Sequence, residues 1–392
     1  MADSDAIALL EAAAAEYADL HRAKHYMLWR DERRRSLGDA LMRVAPFNAY
    51  AKTWIWIGDG AGAGAQGRFG DWAIDRLVER LAPPQILDAF AAEVSNNSAG
   101  YDEVSPVLGV QVDATFDLDE RISLVAEPTD KIEALFLYSP LQPFHFAPGT
   151  SLLKQRYTVS PAFVQGGLEA AGDSHTSPDM TAREAARDHV RLACLLATTG
   201  AVELPLSALA PDPQGLFVSG QGNQSGRPHG IVPLVVFPVD GAKVKWAYDL
   251  LKAFKGGESM ARAIDRLGRA RLATSPVDRA LDLGMAAEIV LMHDHSPANT
   301  EIAHKIGSRA AWLLGSEPES RAAIFAEMKG LYQARSQAVH SGVLSSKSKV
   351  DLDAADRLVT AAFNAILERG RFPDWSSLVM GGDALQQEPE AE

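Results

Sequence analysis

The feature that most constrains the fold is a run of apolar-periodic segments in the last third of the chain. Hydrophobic residues recur there at helical spacing, and they predict helices near residues 259–273, 277–293, 299–314, 319–341 and 351–369. Three prolines mark short connections between these segments: Pro276, Pro297 and Pro318. Long helices joined by short connections favour an up-and-down bundle. The sequence therefore predicts an all-α helical bundle over residues 257–380, with Gly256 and Gly257 as its boundary.

The part of the chain before this bundle has a mixed pattern. With 392 residues, of which 47% are hydrophobic, the chain is long enough for two or three domains. Residues 1–250 are predicted to be helical over 1–100, β-rich over 104–146 and mixed over 180–250. The expected fold class is α+β and multidomain, with a small antiparallel sheet in the N-terminal region. The acidic segment 381–392 is predicted to be a disordered tail.

The β-rich stretch consists of short β-branched segments separated by turn-forming residues. These segments span residues 108–116, 122–126 and 132–138, and they predict an antiparallel meander. Three prolines then indicate an irregular connection: Pro140, Pro143 and Pro148. A further helix is predicted over residues 183–196, where apolar side chains again recur at helical spacing.

A glycine-rich run follows a short apolar segment at residues 53–57. Gly62, Gly64 and Gly67 have the spacing of a dinucleotide-binding fingerprint. That fold also needs a second parallel strand about 30 residues further on, whereas the pattern over residues 85–94 predicts a helix. We therefore interpret the run as a flexible loop and expect no nucleotide cofactor.

Charge and cysteine content restrict the function classes. The net charge of −13 disfavours a broad, non-specific nucleic-acid footprint, although it permits a small site. Six basic residues before and within the first bundle helices predict a basic approach to the bundle: Lys255, Arg262, Arg266, Arg269, Arg271 and Arg279. The single cysteine, Cys194, lies in an apolar stretch and is expected to be a buried structural thiol. No apolar run approaches the length of a membrane span, so we expect a cytoplasmic protein without membrane contact.

In the stretch from Tyr332 to Gly342, polar side chains interrupt an apolar pattern that has helical spacing. Ile324, Met328 and Leu331 fall on one stripe, and the next position on that stripe is Arg335. His340 lies five residues further on, about 7.5 Å along the helix axis. Gly342 is a typical residue for the end of a helix, so His340 is expected in the last turn.

An arginine and a histidine so placed suit phosphate chemistry. The guanidinium group stays charged and matches phosphate oxygens, whereas an imidazole accepts or donates a proton near neutral pH. Attack of an RNA 2′-hydroxyl on the adjacent phosphate needs both of these properties and no metal ion. A structural interpretation also fits, in which Arg335 pairs with a carboxylate and His340 interacts favourably with the helix dipole. The spacing alone leaves both interpretations open.

The C-terminal region resembles a HEPN domain, and it is most similar to the Apea-like group of that superfamily. The resemblance extends from about Ser259 to Trp375, and it depends on an R-x4-H motif that reads RSQAVH from Arg335 to His340, with Leu331 and Tyr332 before it. The segments from Arg279 and from Ile306 also resemble earlier helices of the group. Ser336 and Ser341 differ from the residues most frequent at these positions in the wider superfamily.

The resemblance implies a metal-independent endoribonuclease with a composite site at a homodimer interface. Arg335 and His340 would be the catalytic residues, and the family role carries over to these two only. We expect Glu288, Tyr332 and Ser336 to support them. Glu288 lies on an apolar stripe and is expected to form a salt bridge with Arg335 or Arg309. Such proteins are often implicated in prokaryotic antiviral defence or act as toxins, with the N-terminal region as sensor and a protein trigger as partner. The alternative is a non-catalytic HEPN scaffold that binds RNA, a nucleotide or another protein.

A metal site is not expected. His293, Asp294 and His295 are adjacent, but residues two apart point to different sides of a helix, and the sequence shows no obvious third ligand group. We therefore expect neither a metal ion nor another cofactor.

Overall fold

The chain is mixed α/β in this computed structural model. The structure describes residues 4–22, 26–57, 61–64, 68–129, 132–133, 136, 148–166, 180–211, 224–226, 233, 235–294, 301–344 and 350–382. Residues 383–392 of the acidic tail, His295 and Gly67 lie outside these residues. Among the helices described, none combines the length and the apolar character needed to cross a bilayer.

The N-terminal part consists of helices packed beside a small sheet. Its helices are α1 (Ser4–Arg22), α2 (Tyr26–Leu41), α3 (Arg68–Val78) and α4 (Pro83–Asn96), with a 3-10 turn at Phe47–Tyr50. Phe47, Phe69, Trp72 and Phe90 lie at the centre of its core, and the rings of Phe47 and Phe90 are 4.3 Å apart. Burial of large aromatic side chains contributes most to the stability of such a core.

Strands β1 (Thr53–Ile57) and β2 (Ala61–Gly64) pair antiparallel, and β1 also pairs with β8 (Phe163–Gln165). Gly62 and Gly64 therefore lie on a strand, opposite Trp56 and Trp54. The flexible loop expected here is wrong for Ala61–Gly64. Glycine has low strand propensity, so the pairing with the aromatic strand β1 decides the conformation.

A second sheet contains six antiparallel strands: β3 (Ala99–Val107), β5 (Phe116–Asp117), β6 (Ile122–Val125), β7 (Ser151–Val159), β9 (Leu206–Pro211) and β10 (Gln224–Gly226). Their order in the sheet is β10-β9-β3-β7-β6-β5. The long central pair joins β3 to β7 along nine residues. Two short strands, β4 (Val110–Val112) and β11 (Phe237–Val239), pair parallel beside it. The expected small antiparallel sheet is therefore present, although its strands differ from the predicted meander.

Three predictions for this region differ from the structure, and the first is the strand 108–116, which is divided between β4 and β5 in two different sheets. Strand β7 occupies a segment that was expected to be irregular, because its partner β3 is distant in sequence and the prolines before it suggested a loop. In contrast, the strand predicted at 132–138 is helical at Ile132, Glu133 and Phe136. The Thr129 carbonyl accepts from both Ile132 N–H and Glu133 N–H at 2.9 Å, which closes a helical turn. The other residues of that segment lie outside the described part.

Every described element after β11 is a helix. These helices are α6 (Gly241–Ala253), α7 (Gly257–Leu272), α8 (Pro276–Leu291), α9 (Ile302–Leu314), α10 (Pro318–Ser341), α11 (Leu352–Glu368) and α12 (Trp375–Val379), and α5 (Met180–Ala197) precedes them. The predicted helix bounds agree with α7 to α11 within a few residues. Helix α8 packs against α7 and α10, and α9 packs against α10.

The hydrophobic core continues across Gly256. That glycine has φ +104° and separates α6 from α7, so a helix break occurs where the domain boundary was predicted. One core cluster nevertheless includes Leu195 of α5 and Leu251 of α6 together with Leu283 of α8. The division of the chain into domains stays a prediction.

Candidate functional site

Helix α10 carries Arg335 and His340 near its C-terminal end. It ends at Ser341, and Gly342 has φ +68° and donates its N–H to the Ala338 carbonyl at 3.1 Å. The helix end predicted from this glycine is therefore confirmed. Met328, Leu331 and Ala334 are buried along the face that meets the rest of the helices. Arg335 follows them at the border of that buried face.

Arg335 pairs with Glu288 across the interface between α10 and α8. Its Nη2 lies 3.1 Å from Glu288 Oε2, and the two side chains are 24% and 31% exposed. The expected salt bridge is therefore present, with Arg335 as the partner. The Nε atom of Arg335 is buried, with no hydrogen-bond acceptor among the described residues. The guanidinium group is thus held on one edge, and it is still partly open to solvent.

Tyr332 completes a cluster with these two residues. The Arg335 guanidinium carbon lies 5.5 Å from the centre of the Tyr332 ring. Burial raises the pKa of the Tyr332 hydroxyl; the Glu288 carboxylate raises it further, and the Arg335 charge opposes both. The phenol is consequently a neutral hydrogen-bond donor at neutral pH. The three residues place a cation, an anion and a hydroxyl at one partly exposed position.

His340 lies outside this cluster. Residues five apart on an α-helix are rotated by about 140° from each other, so Arg335 and His340 face different directions. The His340 side chain is exposed, and within the described residues it makes no hydrogen bond or ion pair. The Ser341 hydroxyl beside it is 2.8 Å from the Gln337 carbonyl, within the same helix end. Ser336 is half-buried next to Arg335. The structure therefore brings Arg335, Glu288 and Tyr332 together and leaves His340 apart from them.

The arginines before the site form ion pairs. Arg262, Arg266 and Arg269 pair with Glu258, Asp282 and Asp265, each at 3.0 Å. The buried Arg271 pairs with Asp356 at 2.7 Å, and Arg279 pairs with Asp353 at 2.6 Å. The basic approach expected from the sequence is wrong for these five residues, because carboxylates that are distant in sequence or one helical turn away neutralise them.

The two described residues of the histidine-rich cluster have structural partners. His293 Nδ1 accepts a hydrogen bond from Trp375 Nε1 at 3.0 Å, and the His293 ring stacks on Phe372 at 4.0 Å. Asp294 pairs with Arg309 at 2.6 Å. No group of three metal-ligating side chains occurs within the part of the chain that the structure describes.

Sequence reasoning missed Gly284, which faces Arg335 from α8. A Cβ atom on Gly284 would lie 2.5 Å from Arg335 Cβ and 2.6 Å from its Cγ. The available signal was a glycine in the interior of a strongly helical pattern, which usually has a packing reason.

Comparisons of the chain with family models, with curated proteins and with solved structures found no match.

Proposed function

We propose that the C-terminal helices form an Apea-like HEPN domain and that the protein is a metal-independent endoribonuclease. The observation that carries the proposal is the Arg335 guanidinium, which Glu288 and Tyr332 hold at a partly exposed position on the helix that also presents His340. A fixed cation and an exposed imidazole are the two groups that transesterification of RNA requires.

In the proposed reaction, the RNA 2′-oxygen attacks the adjacent phosphorus atom. A basic imidazole removes the 2′-hydroxyl proton, and the new P–O bond forms as the bond to the 5′-oxygen breaks. The departing 5′-oxygen takes up a proton, which an imidazolium group supplies. Arg335 stabilises the negative charge that develops on the phosphorane oxygens. The products are a 2′,3′-cyclic phosphate and a 5′-hydroxyl, and no oxidant, metal ion or other cofactor takes part.

The separation of Arg335 from His340 favours a site built from two copies of the chain. Val339 and Val343, which flank His340, are 52% and 60% exposed. Apolar side chains of this size at one helix end suit contact with a partner surface. In a homodimer, the two α10 ends would meet around these valines, and the Arg335 and His340 side chains of both copies would line one cleft.

The test is incubation of purified wild-type protein, Arg335→Ala and His340→Ala with labelled single-stranded RNA and transfer RNA in EDTA. Cleavage by the wild type that leaves 2′,3′-cyclic phosphates supports the proposal. Loss of the base should reduce the rate by about 10²- to 10⁴-fold, and loss of Arg335 by on the order of 10²-fold or more. Equal cleavage by all three proteins would contradict it.

A non-catalytic HEPN scaffold is the second candidate. The salt bridge between Arg335 and Glu288 favours it, because such a pair joins two helices without any reaction. In a scaffold, the N-terminal region would sense a signal and the helices would bind RNA or a protein partner. His340→Ala separates the candidates: unchanged RNA binding with no cleavage in either protein supports the scaffold.

A further inference from the structure

A residue without a side chain lies where α8 meets the arginine-bearing face of α10. Gly284 is buried in the middle of α8, and a Cβ atom built there would meet Arg335 Cβ at 2.5 Å and Cγ at 2.6 Å. Cβ atoms in proteins essentially never approach other atoms so closely. Glycine weakens a helix relative to alanine, so the absence of a methyl group here serves the packing of Arg335.

The contact also directs the guanidinium group. The Cδ atom of Arg335 would be 3.7 Å from the same built Cβ, so the first three carbons of the side chain pass over Gly284. Glu288 lies four residues after Gly284, which places it one turn further on the same face of α8. The Arg335 side chain therefore crosses α8 at Gly284 and reaches the Glu288 carboxylate at 3.1 Å.

We propose that Gly284 is a positioning residue for Arg335. With glycine at 284, the arginine stem lies against the α8 backbone, and its guanidinium group is fixed between Glu288 and Tyr332. A methyl group at this position would push α10 away from α8, because the nearest atom, Arg335 Cβ at 2.5 Å, does not move when the side chain changes rotamer. Restoring an ordinary contact distance moves the arginine, and the cation with it, by about an ångström. The expected loss of catalysis rests on the proposed function, whereas the expected displacement of the Arg335 side chain does not.

The chain offers two matched glycine controls. Gly330 on α10 has no atom of the described residues within 4 Å of a built Cβ, so Gly330→Ala should preserve both folding and activity. Gly307 on α9 faces the Phe325 ring at 2.9 Å and the Phe325 carbonyl oxygen at 3.0 Å. Gly307→Ala therefore disturbs a helix contact of the same kind at a different place, and it controls for general loss of packing.

The first measurement is RNA cleavage by Gly284→Ala, Gly307→Ala and Gly330→Ala at a temperature where all three are folded. We expect kcat of Gly284→Ala to fall by about 100-fold, the effect of a misplacement of 1 Å, with a smaller change in KM. Gly307→Ala and Gly330→Ala should keep kcat within about threefold of wild type. Wild-type kcat in Gly284→Ala would overturn the proposal.

A second measurement tests the contact between Gly284 and Arg335, and it applies when Gly284→Ala folds poorly or when no variant cleaves RNA. Arg335→Gly removes the Cβ and Cγ atoms that a methyl group at 284 would meet. Gly284→Ala should therefore lower the urea midpoint strongly in the wild-type background and little in the Arg335→Gly background. Equal losses in both backgrounds would show that Gly284 does not act through Arg335. A failed ribonuclease proposal would leave this result unchanged, so the two failures are distinguishable.

Discussion

Arg335 occupies a position where the apolar pattern calls for an aliphatic side chain. Its helix neighbours Leu331 and Ala334 are buried, whereas its own guanidinium group reaches the edge of the interface and meets Glu288. A half-exposed pair of this kind contributes little stability, because water screens its charges. The pair therefore serves to orient the Arg335 guanidinium group. The pKa of the neighbouring Tyr332 hydroxyl is a direct way to detect that orientation.

Tyr332 should report the charges around it. A nearby carboxylate disfavours the tyrosinate and a nearby cation favours it, and both charges act on this hydroxyl. Glu288→Gln should therefore lower the Tyr332 pKa, and Arg335→Met should raise it. NMR of protein labelled at tyrosine Cζ measures the pKa, with Tyr332→Phe assigning the signal. A Tyr332 titration that ignores both substitutions would contradict the cluster.

At the scale of elements, a hydrogen bond between His293, just after the end of α8, and Trp375 connects α8 to α12. Because the Trp375 indole N–H only donates, the Nδ1 atom of His293 must be unprotonated to accept its hydrogen bond. Burial lowers the His293 pKa, the Asp294 carboxylate opposes this shift, and the Arg309 charge adds to it. The folded state therefore favours neutral His293.

This contact predicts a pH dependence of stability. The pKa of His293 is lower in the folded state than the value of about 6.5 in an unfolded chain. The unfolded state thus binds more protons as the pH falls below about 6.5, and the stabilisation present above that pH is lost. Urea unfolding of wild type and His293→Asn at pH 7.5 and 5.0 tests this. We expect the wild type to lose more stability between the two pH values, and equal losses would refute the contact.

The helices and the strands differ in how far the sequence predicts them. Helices α7 to α11 follow from local periodicity, prolines at helix starts and the glycine after Ser341, all of which act within a few residues. Strand β7 depends on pairing with β3, about 50 residues earlier in the chain, and local pattern carries no information about such a partner. The β2 strand at Gly62 and Gly64 was missed for a different reason: its partner β1 is close in the sequence, but the pairing with β1 overrides the low strand propensity of glycine.

At the scale of the whole molecule, one buried arginine joins three helices that are distant in sequence. The Arg271 side chain of α7 is 3% exposed and donates to Asp356 and Thr360 of α11. It also donates to the carbonyl groups of Leu195, Thr198 and Gly200 at the end of α5. The Leu195 carbonyl is one of the last four of α5, which have no partner within the helix, and Thr198 and Gly200 follow that helix. One side chain therefore satisfies the end of α5 and links it to α7 and α11.

Loss of one partner of this pair should destabilise the whole protein. Asp356→Ala leaves the buried Arg271 without a counterion and should reduce the free energy of unfolding by about 3–5 kcal/mol. The exposed pair of Lys245 and Asp249 provides the control, because Asp249→Ala should change it by about 0.5 kcal/mol or less. Urea unfolding followed by circular dichroism measures both. A cost for Asp356→Ala as small as that of the control would show that the link is not needed.

Cys194 gives an independent measure of whole-molecule opening. It is fully buried in the core cluster shared by α5 and the C-terminal helices, and burial raises its pKa to about 12. A thiol reagent should therefore react with it only when this core opens. We expect the reaction rate to rise with urea together with global unfolding. Fast reaction in the absence of urea would contradict the packing of α5.

The candidate site shows the same division between local and distant information. Arg335, His340 and the helix end at Gly342 follow from the sequence of α10 alone, and Glu288 was expected because a carboxylate on an apolar stripe needs a partner. Gly284 was missed because its role depends on the distance between two helices. The basic approach was misjudged because Asp282, Asp353 and Asp356, which pair with its arginines, come from other helices.

The most direct test of the central claim is cleavage of a DNA oligonucleotide that contains a single ribonucleotide, in EDTA. The account predicts that the wild-type protein cuts only on the 3′ side of that ribonucleotide and leaves a 2′,3′-cyclic phosphate. Arg335→Ala and His340→Ala should cut the oligonucleotide at least about 100-fold more slowly. Cleavage of an all-deoxy oligonucleotide, or cleavage by His340→Ala at the wild-type rate, would contradict a 2′-hydroxyl mechanism at this site.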